Sequence, residues 1–138
     1  MKKKGISLII VGLVVVIFYI YFGGKSSNDI ARLNSSDVRK ITVNRVTGYY
    51  TITDQEDIEK ILDILKSMRL RRTFPHNKDG MIANLDIYEK NSNQDCNVLI
   101  LGNDITINQK NYKFVQNYSD ELIKLFTDFE KKYQINRN

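Results

Sequence analysis

An uncharged run, Ile6–Phe22 (ISLIIVGLVVVIFYIYF), follows directly on Met1-Lys2-Lys3-Lys4-Gly5, and it restricts this chain more than any other feature. As a helix it rises about 25 Å, slightly under the ~30 Å hydrocarbon core of a bilayer. Lys2, Lys3 and Lys4 on one side, and Phe18, Tyr19, Tyr21 and Phe22 on the other, are residue types that sit at the interface and cover such a shortfall. Only Lys25 stands close behind the run. The positive-inside rule then puts residues 1–5 in the cytoplasm, 6–22 across the membrane as a signal anchor, and the remainder outside. Cleavage is the alternative, because Gly24-Lys25-Ser26 offers small residues at the right spacing. A pilin-like leader is disfavoured by Ile10, where such leaders carry an acid, and by Gly23-Gly24, which would break the long helix. With no cysteine near the end of the run, lipoprotein anchoring is excluded.

The chain beyond the anchor is long enough for one domain with one core. Its basicity is modest. The net charge is +5 and the N-terminal lysines carry three of those charges, leaving +2, so the chain is not read as a nucleic-acid binder. A single cysteine, Cys96, permits no internal disulfide, and stability must come from packing. Residues 23–38 (GGKSSNDIARLNSSDV) are small and polar without a sustained period, which predicts a stalk.

Residues 39–134 carry the periodicities of an α+β domain. Ile41 and Val43 alternate with Thr42 and Asn44, and Thr47-Gly48 turns the chain into Tyr49–Ile52, a hairpin. Thr53–Glu56 has capping-box form, with Asp54, Glu56 and Asp57 at the positive end of a helix dipole. Ile58, Ile61, Leu62, Leu65 and Met68 form that helix's apolar stripe. Lys66, Arg69, Arg71 and Arg72 close it or lie just beyond. A loop at 73–80 leads to a strand with Met81, Ala83, Leu85 and Ile87 on one side. Cys96–Leu101, apolar on both sides, reads as a central strand. Two short strands, Ile105–Ile107 and Tyr112–Val115, precede a helix capped by Ser119 with a Leu122, Leu125, Phe126, Phe129, Tyr133 stripe. Residues 135–138 are expected to fray. The order ββα-ββββα predicts an antiparallel sheet of five or six strands with two amphipathic helices on one face, preceded by one transmembrane helix.

The stretch ITVNRVTGYYTITDQEDIEKILDILKSM and the run from Asp86 to Phe129 give a pattern that resembles a group of small extracytoplasmic domains from low-GC Gram-positive bacteria, anchored by a helix or a lipid and of unknown function. The resemblance implies a location and a fold. It transfers no active site.

Arg69, Arg71, Arg72, His76 and Lys78, with Lys66, form the densest basic stretch outside the leader. Such a stretch suits an anionic cell-surface polymer, lipid headgroups or an acidic envelope protein, and equally a solvated helix end. His76 and Cys96 are the only residues of their kinds, and Cys96 stands in an apolar strand where free cysteine acts as a small hydrophobe. A Cys–His nucleophilic pair and a thiolate or imidazole metal site are therefore not expected. Asp54, Glu56 and Asp57 are explained by capping, and Asn91–Asp95 lacks the glycine and terminal glutamate of a calcium loop. Tyr49, Tyr88, Tyr112 and Tyr118 lie on or beside strands, where outward-facing rings suit peptide or glycan contact. No cofactor is implied. The expectation is a membrane-tethered, non-enzymatic binding or accessory module at the cell surface. An immunity-type protein, or an envelope enzyme or enzyme inhibitor with a dispersed site, stands as the alternative.

Overall fold

Residue alternation in β1 (Val38–Arg45) and β2 (Gly48–Ile52) buries Ile41, Val43, Tyr50 and Ile52 on one side, and the rest of the sheet repeats the pattern. The computed structural model describes residues 2–22, 27–75, 80–91 and 95–136, with side chains in the first helix described for Ile9–Tyr19. Helix α1 (Lys2–Phe22) is followed by the short helix α2 (Asn28–Ala31), a 3-10 turn at Ser35–Asp37, β1 and β2. Then come α3 (Gln55–Ser67), β3 (Leu70–Arg72), β4 (Met81–Glu89), β5 (Cys96–Leu101), β6 (Asp104–Ile107), β7 (Lys110–Phe114) and α4 (Ser119–Lys132). The strands form one antiparallel sheet in the order β2-β1-β4-β5-β6-β7-β3, with β5 central as its two-sided apolar pattern predicts. The fold is α+β.

The sheet has seven strands where five or six were expected. The addition is β3, three residues that the sequence pattern places at the end of a helix. A three-residue strand carries too little alternation to register, and two of its residues are arginines. It forms because Leu70 is buried opposite Phe114, while Arg71 and Arg72 pair with Lys113 and Tyr112.

A single core joins the sheet to the helices, with Ile58, Ile61, Leu62 and Leu65 from α3 and Leu122, Leu125, Phe126 and Phe129 from α4. Both helices therefore lie on the same face. Asp54 caps α3 by accepting the Asp57 N–H at 3.1 Å. Ser119 is the first residue of α4 and not its cap: its N–H donates to Asn117 Oδ1 (2.9 Å) and its hydroxyl to the Gly102 carbonyl.

The expected stalk is largely absorbed into the domain. Ile30, Leu33 and Val38 are fully buried and Ser27 nearly so, all but Ser27 within the common core. Lys110 Nζ holds Asp29 at 3.0 Å, and the Gln55 amide donates to the Ser35 carbonyl. The segment reads as a linker because its three apolar anchors are spread over nine residues of small polar ones. The packed domain thus begins at Ser27 and not near 39, while residues 23–26 of the expected stalk lie outside the described residues. The expected frayed tail is held as far as Asn136, and residues 137–138 lie outside the described ones: Tyr49 and Asn136 exchange backbone hydrogen bonds of 3.1 and 2.9 Å, covering the outer edge of β2.

Helix α1 is continuous over twenty-one residues. Its described side chains are exposed, from 54% at Ile17 to 78% at Tyr19. Among the described residues, no helix is long and apolar enough to cross a membrane. The side chains of Lys2, Lys3, Lys4 and Tyr21, expected as interface flanks, lie outside the described ones.

Asp57 ties the start of α3 to the end of α4. It accepts hydrogen bonds from Lys132 Nζ (2.6 Å) and from the Tyr133 hydroxyl. Burial pushes its carboxyl up, but those two hydrogen bonds and the charges of Lys132 and Lys60 outweigh it and hold the carboxyl below its ordinary range. A carboxyl more acidic in the folded state adds stability that is complete above its unfolded value, about 3.9, and is lost as pH falls through the folded value. Asp57→Asn should therefore cost about 1 kcal/mol at neutral pH, since the contact is partly solvated. Urea unfolding of the full chain at pH 7 and then at progressively lower pH checks this, with the two proteins converging once Asp57 is protonated.

Candidate functional site

Strand alternation divides the basic stretch that looked continuous in sequence. Arg71 and Arg72 are both exposed but leave β3 on opposite faces of the sheet. Arg71 lines a shallow cavity of about 180 Å³ with Lys113, Phe114 and Val115. Arg72 lies over the Tyr112 ring, 5.7 Å from its centre, and lines a second cavity of about 230 Å³ with Thr73, Phe74, Pro75, Gln109, Lys110 and Asn111. Arg69 is fixed through its backbone: its N–H donates to the Tyr118 hydroxyl (3.0 Å), and its carbonyl accepts from Val115 (3.0 Å). His76 and Lys78 lie outside the described residues. The described members of the stretch thus do not converge on one point. Each arginine of β3 instead gains a lysine from β7, a neighbour that sequence proximity cannot reveal.

The face of the sheet opposite the helices carries a polar strip. Thr51, Thr42, Asp86 and Asn97 lie in register across β2, β1, β4 and β5, and Asn44 and Asn84 form the next row. Asn97 Nδ2 donates to Asn84 Oδ1 (2.9 Å) and Asp86 Oδ1 (2.8 Å), while Asn44 Nδ2 donates to Asp86 Oδ2 (3.3 Å). Further along, Thr106 donates to Asn111 Oδ1 at 3.0 Å. These side chains are half-exposed to exposed, and Leu101 and Asp104 are the buried members of this face at its far end. At the opposite end Lys40 Nζ and the Arg39 guanidinium sit 4.6 and 5.5 Å from the centre of the Tyr88 ring. Sequence reasoning missed this strip because asparagines and threonines alternating with core residues look like ordinary solvent-facing positions.

The tyrosines separate by role. Tyr49 and Tyr88 belong to the open face, Tyr112 packs against the core, and Tyr118 is buried with its hydroxyl on Arg69. Cys96 is fully buried in β5, and burial pushes its thiol up to about 11, so little thiolate forms at neutral pH. Arg45 and Glu130, 3.0 Å apart and each about 15% exposed, join the β1–β2 hairpin to α4, and Thr47 donates to Glu130 at 2.6 Å. That cluster is explained by its packing role. Among the described residues, no group of histidine, cysteine and carboxylate side chains is placed to hold a metal ion.

Comparison with known proteins finds no family model, no curated protein and no solved structure that matches this chain.

Proposed function

We propose that the chain is a single-pass membrane protein whose α+β domain lies outside the cytoplasm and acts as a non-enzymatic binding or accessory module. Its contact surface is the open face of the sheet, and its ligand an anionic, hydroxyl-rich cell-surface polymer. One observation carries this reading: a half-exposed strip of Asn, Thr and Asp side chains is flanked by cations, Arg39 and Lys40 at one end and Arg71 and Lys113 at the other side. The buried side chains of α2, α3 and α4 all belong to the core on the other face, so these three helices do not pack over the strip, while α1 meets the sheet at β3. Fixed amide and hydroxyl groups suit a chain of hydroxyls, and the separated cations suit phosphates spaced along it.

The membrane reading is supported by the uncharged run Ile6–Phe22 after three lysines, which falls within the continuous helix α1. The test uses the full chain in lipid nanodiscs with a poly(glycerol phosphate) polymer as probe. Binding that weakens with salt is expected, and Lys40→Gln together with Lys113→Gln should reduce it roughly tenfold. Absence of binding at low salt, or equal binding by the double variant, counts against this surface.

A further inference from the structure

The packed domain starts at Ser27, so only residues 23–26 separate it from the end of α1 at Phe22. Five Cα steps reach at most about 18 Å. Ser27, Ile30 and Leu33 are 4%, 1% and 1% exposed, so drawing them out as additional tether would dismantle part of the core.

The tether leaves from one particular end of the sheet. Around α2 lie the end of β4, where Arg32 meets Glu89 at 3.7 Å, and the β6–β7 turn, where Lys110 meets Asp29. The β1–β2 hairpin tip, at Val46 and Thr47, lies at the other end of the strands. Strand β4 alone runs nine residues, about 30 Å, between those ends. A tether of 18 Å cannot turn the far end of a sheet that long toward the bilayer. If α1 spans the membrane, the end bearing α2, the β6–β7 turn and the exit from β3 faces the lipid.

That end holds the cavity lined by Arg72. Its cations are Arg72 and Lys110, and Thr73, Phe74, Pro75, Gln109 and Asn111 complete its lining. At about 230 Å³ it is smaller than the usual pocket for a drug-sized ligand, but adequate for a phosphate-bearing headgroup. Phe74 is 79% exposed, and an aromatic residue beside basic ones is the combination found at bilayer interfaces. The local charge is mixed, and Asp29 and Glu89 are already matched by Lys110 and Arg32. Proximity enforced by the tether therefore matters more here than net attraction.

We infer that this end of the domain rests on the bilayer, with an anionic phospholipid headgroup in the cavity between Arg72 and Lys110 and Phe74 at the lipid interface. The inference rests on the proposed membrane anchorage. It is tested on the full chain in nanodiscs of phosphatidylcholine, with or without phosphatidylglycerol. A fluorophore is placed by Asn91→Cys at the tethered end or by Val46→Cys at the far end. Native Cys96 is buried and does not compete for label. Lipid-borne quenchers should quench the label at 91 strongly and that at 46 little, with quenching at 91 rising when phosphatidylglycerol is present. Arg72→Gln with Lys110→Gln should lower the preference for phosphatidylglycerol about fivefold, since Lys110 is already matched by Asp29 and Arg72 supplies the remaining attraction of about 1 kcal/mol. Equal quenching at 91 and 46 overturns the seating. A double variant that keeps the lipid preference overturns the headgroup site. Failure of the wild-type chain to enter the discs is a separate outcome, which overturns the anchorage and this inference with it.

Discussion

Leu33→Ala should destabilise the domain by about 3 kcal/mol, a cost typical of a core leucine and far above that of any change in a linker. Leu33 is 1% exposed and shares the core with Ile30, Val38 and the apolar stripe of α3. Truncation removes its transfer free energy, and the cavity left between α2 and α3 adds to the loss. Urea unfolding of the full chain in detergent, followed by tyrosine fluorescence, measures the difference, with Ser36→Ala as an exposed control expected to stay within about 0.5 kcal/mol. If both substitutions are silent, residues 27–38 are a stalk after all. The tether would then lengthen and the membrane-facing end would no longer be determined.

This segment shows where sequence patterning carries and where it stops. The stripe of α3 is legible because Ile58, Ile61, Leu62 and Leu65 recur at helical spacing over about two turns, and all four are buried. The centrality of β5 is legible because Leu99 and Leu101 fill its second side. Ile30, Leu33 and Val38 follow no period. They are buried by a short helix and a 3-10 turn, elements too brief to repeat a pattern. Strand β3 fails for the same reason, as its three residues offer a single apolar position. The candidate site was half legible. Composition shows that cations gather between 66 and 78, but not that Arg71 and Arg72 point apart, nor that Lys113 and Lys110 join them across the ladder. The asparagine strip has no sequence signal of its own, since its rows exist only once the register of four strands is set.

Gly48 carries the other large expected effect, and it links the hairpin to the chain's end. Its φ is +137°, a conformation open almost only to glycine. A Cβ built there would stand 2.6 Å from the Asn136 carbonyl oxygen and 2.6 Å from Ile135 Cγ2. The oxygen belongs to backbone that is hydrogen-bonded to Tyr49, so it cannot move aside without breaking the bridge. Gly48→Ala therefore combines backbone strain of about 1–3 kcal/mol with loss of the tail's pairing, together about 3 kcal/mol. The two parts can be separated. Deleting residues 135–138 removes the collision and the bridge but leaves the strain, so Gly48→Ala should cost less in the shortened chain than in the full one. Amide exchange at Tyr49 provides a second reading: its protection should fall in the full-length variant and in the shortened wild type alike. Equal cost in both backgrounds would show that the φ angle alone demands glycine and that the tail merely lies alongside. A smaller cost in the shortened chain would instead show that the last residues close the open edge of β2, which the flexible end expected from the sequence could not do.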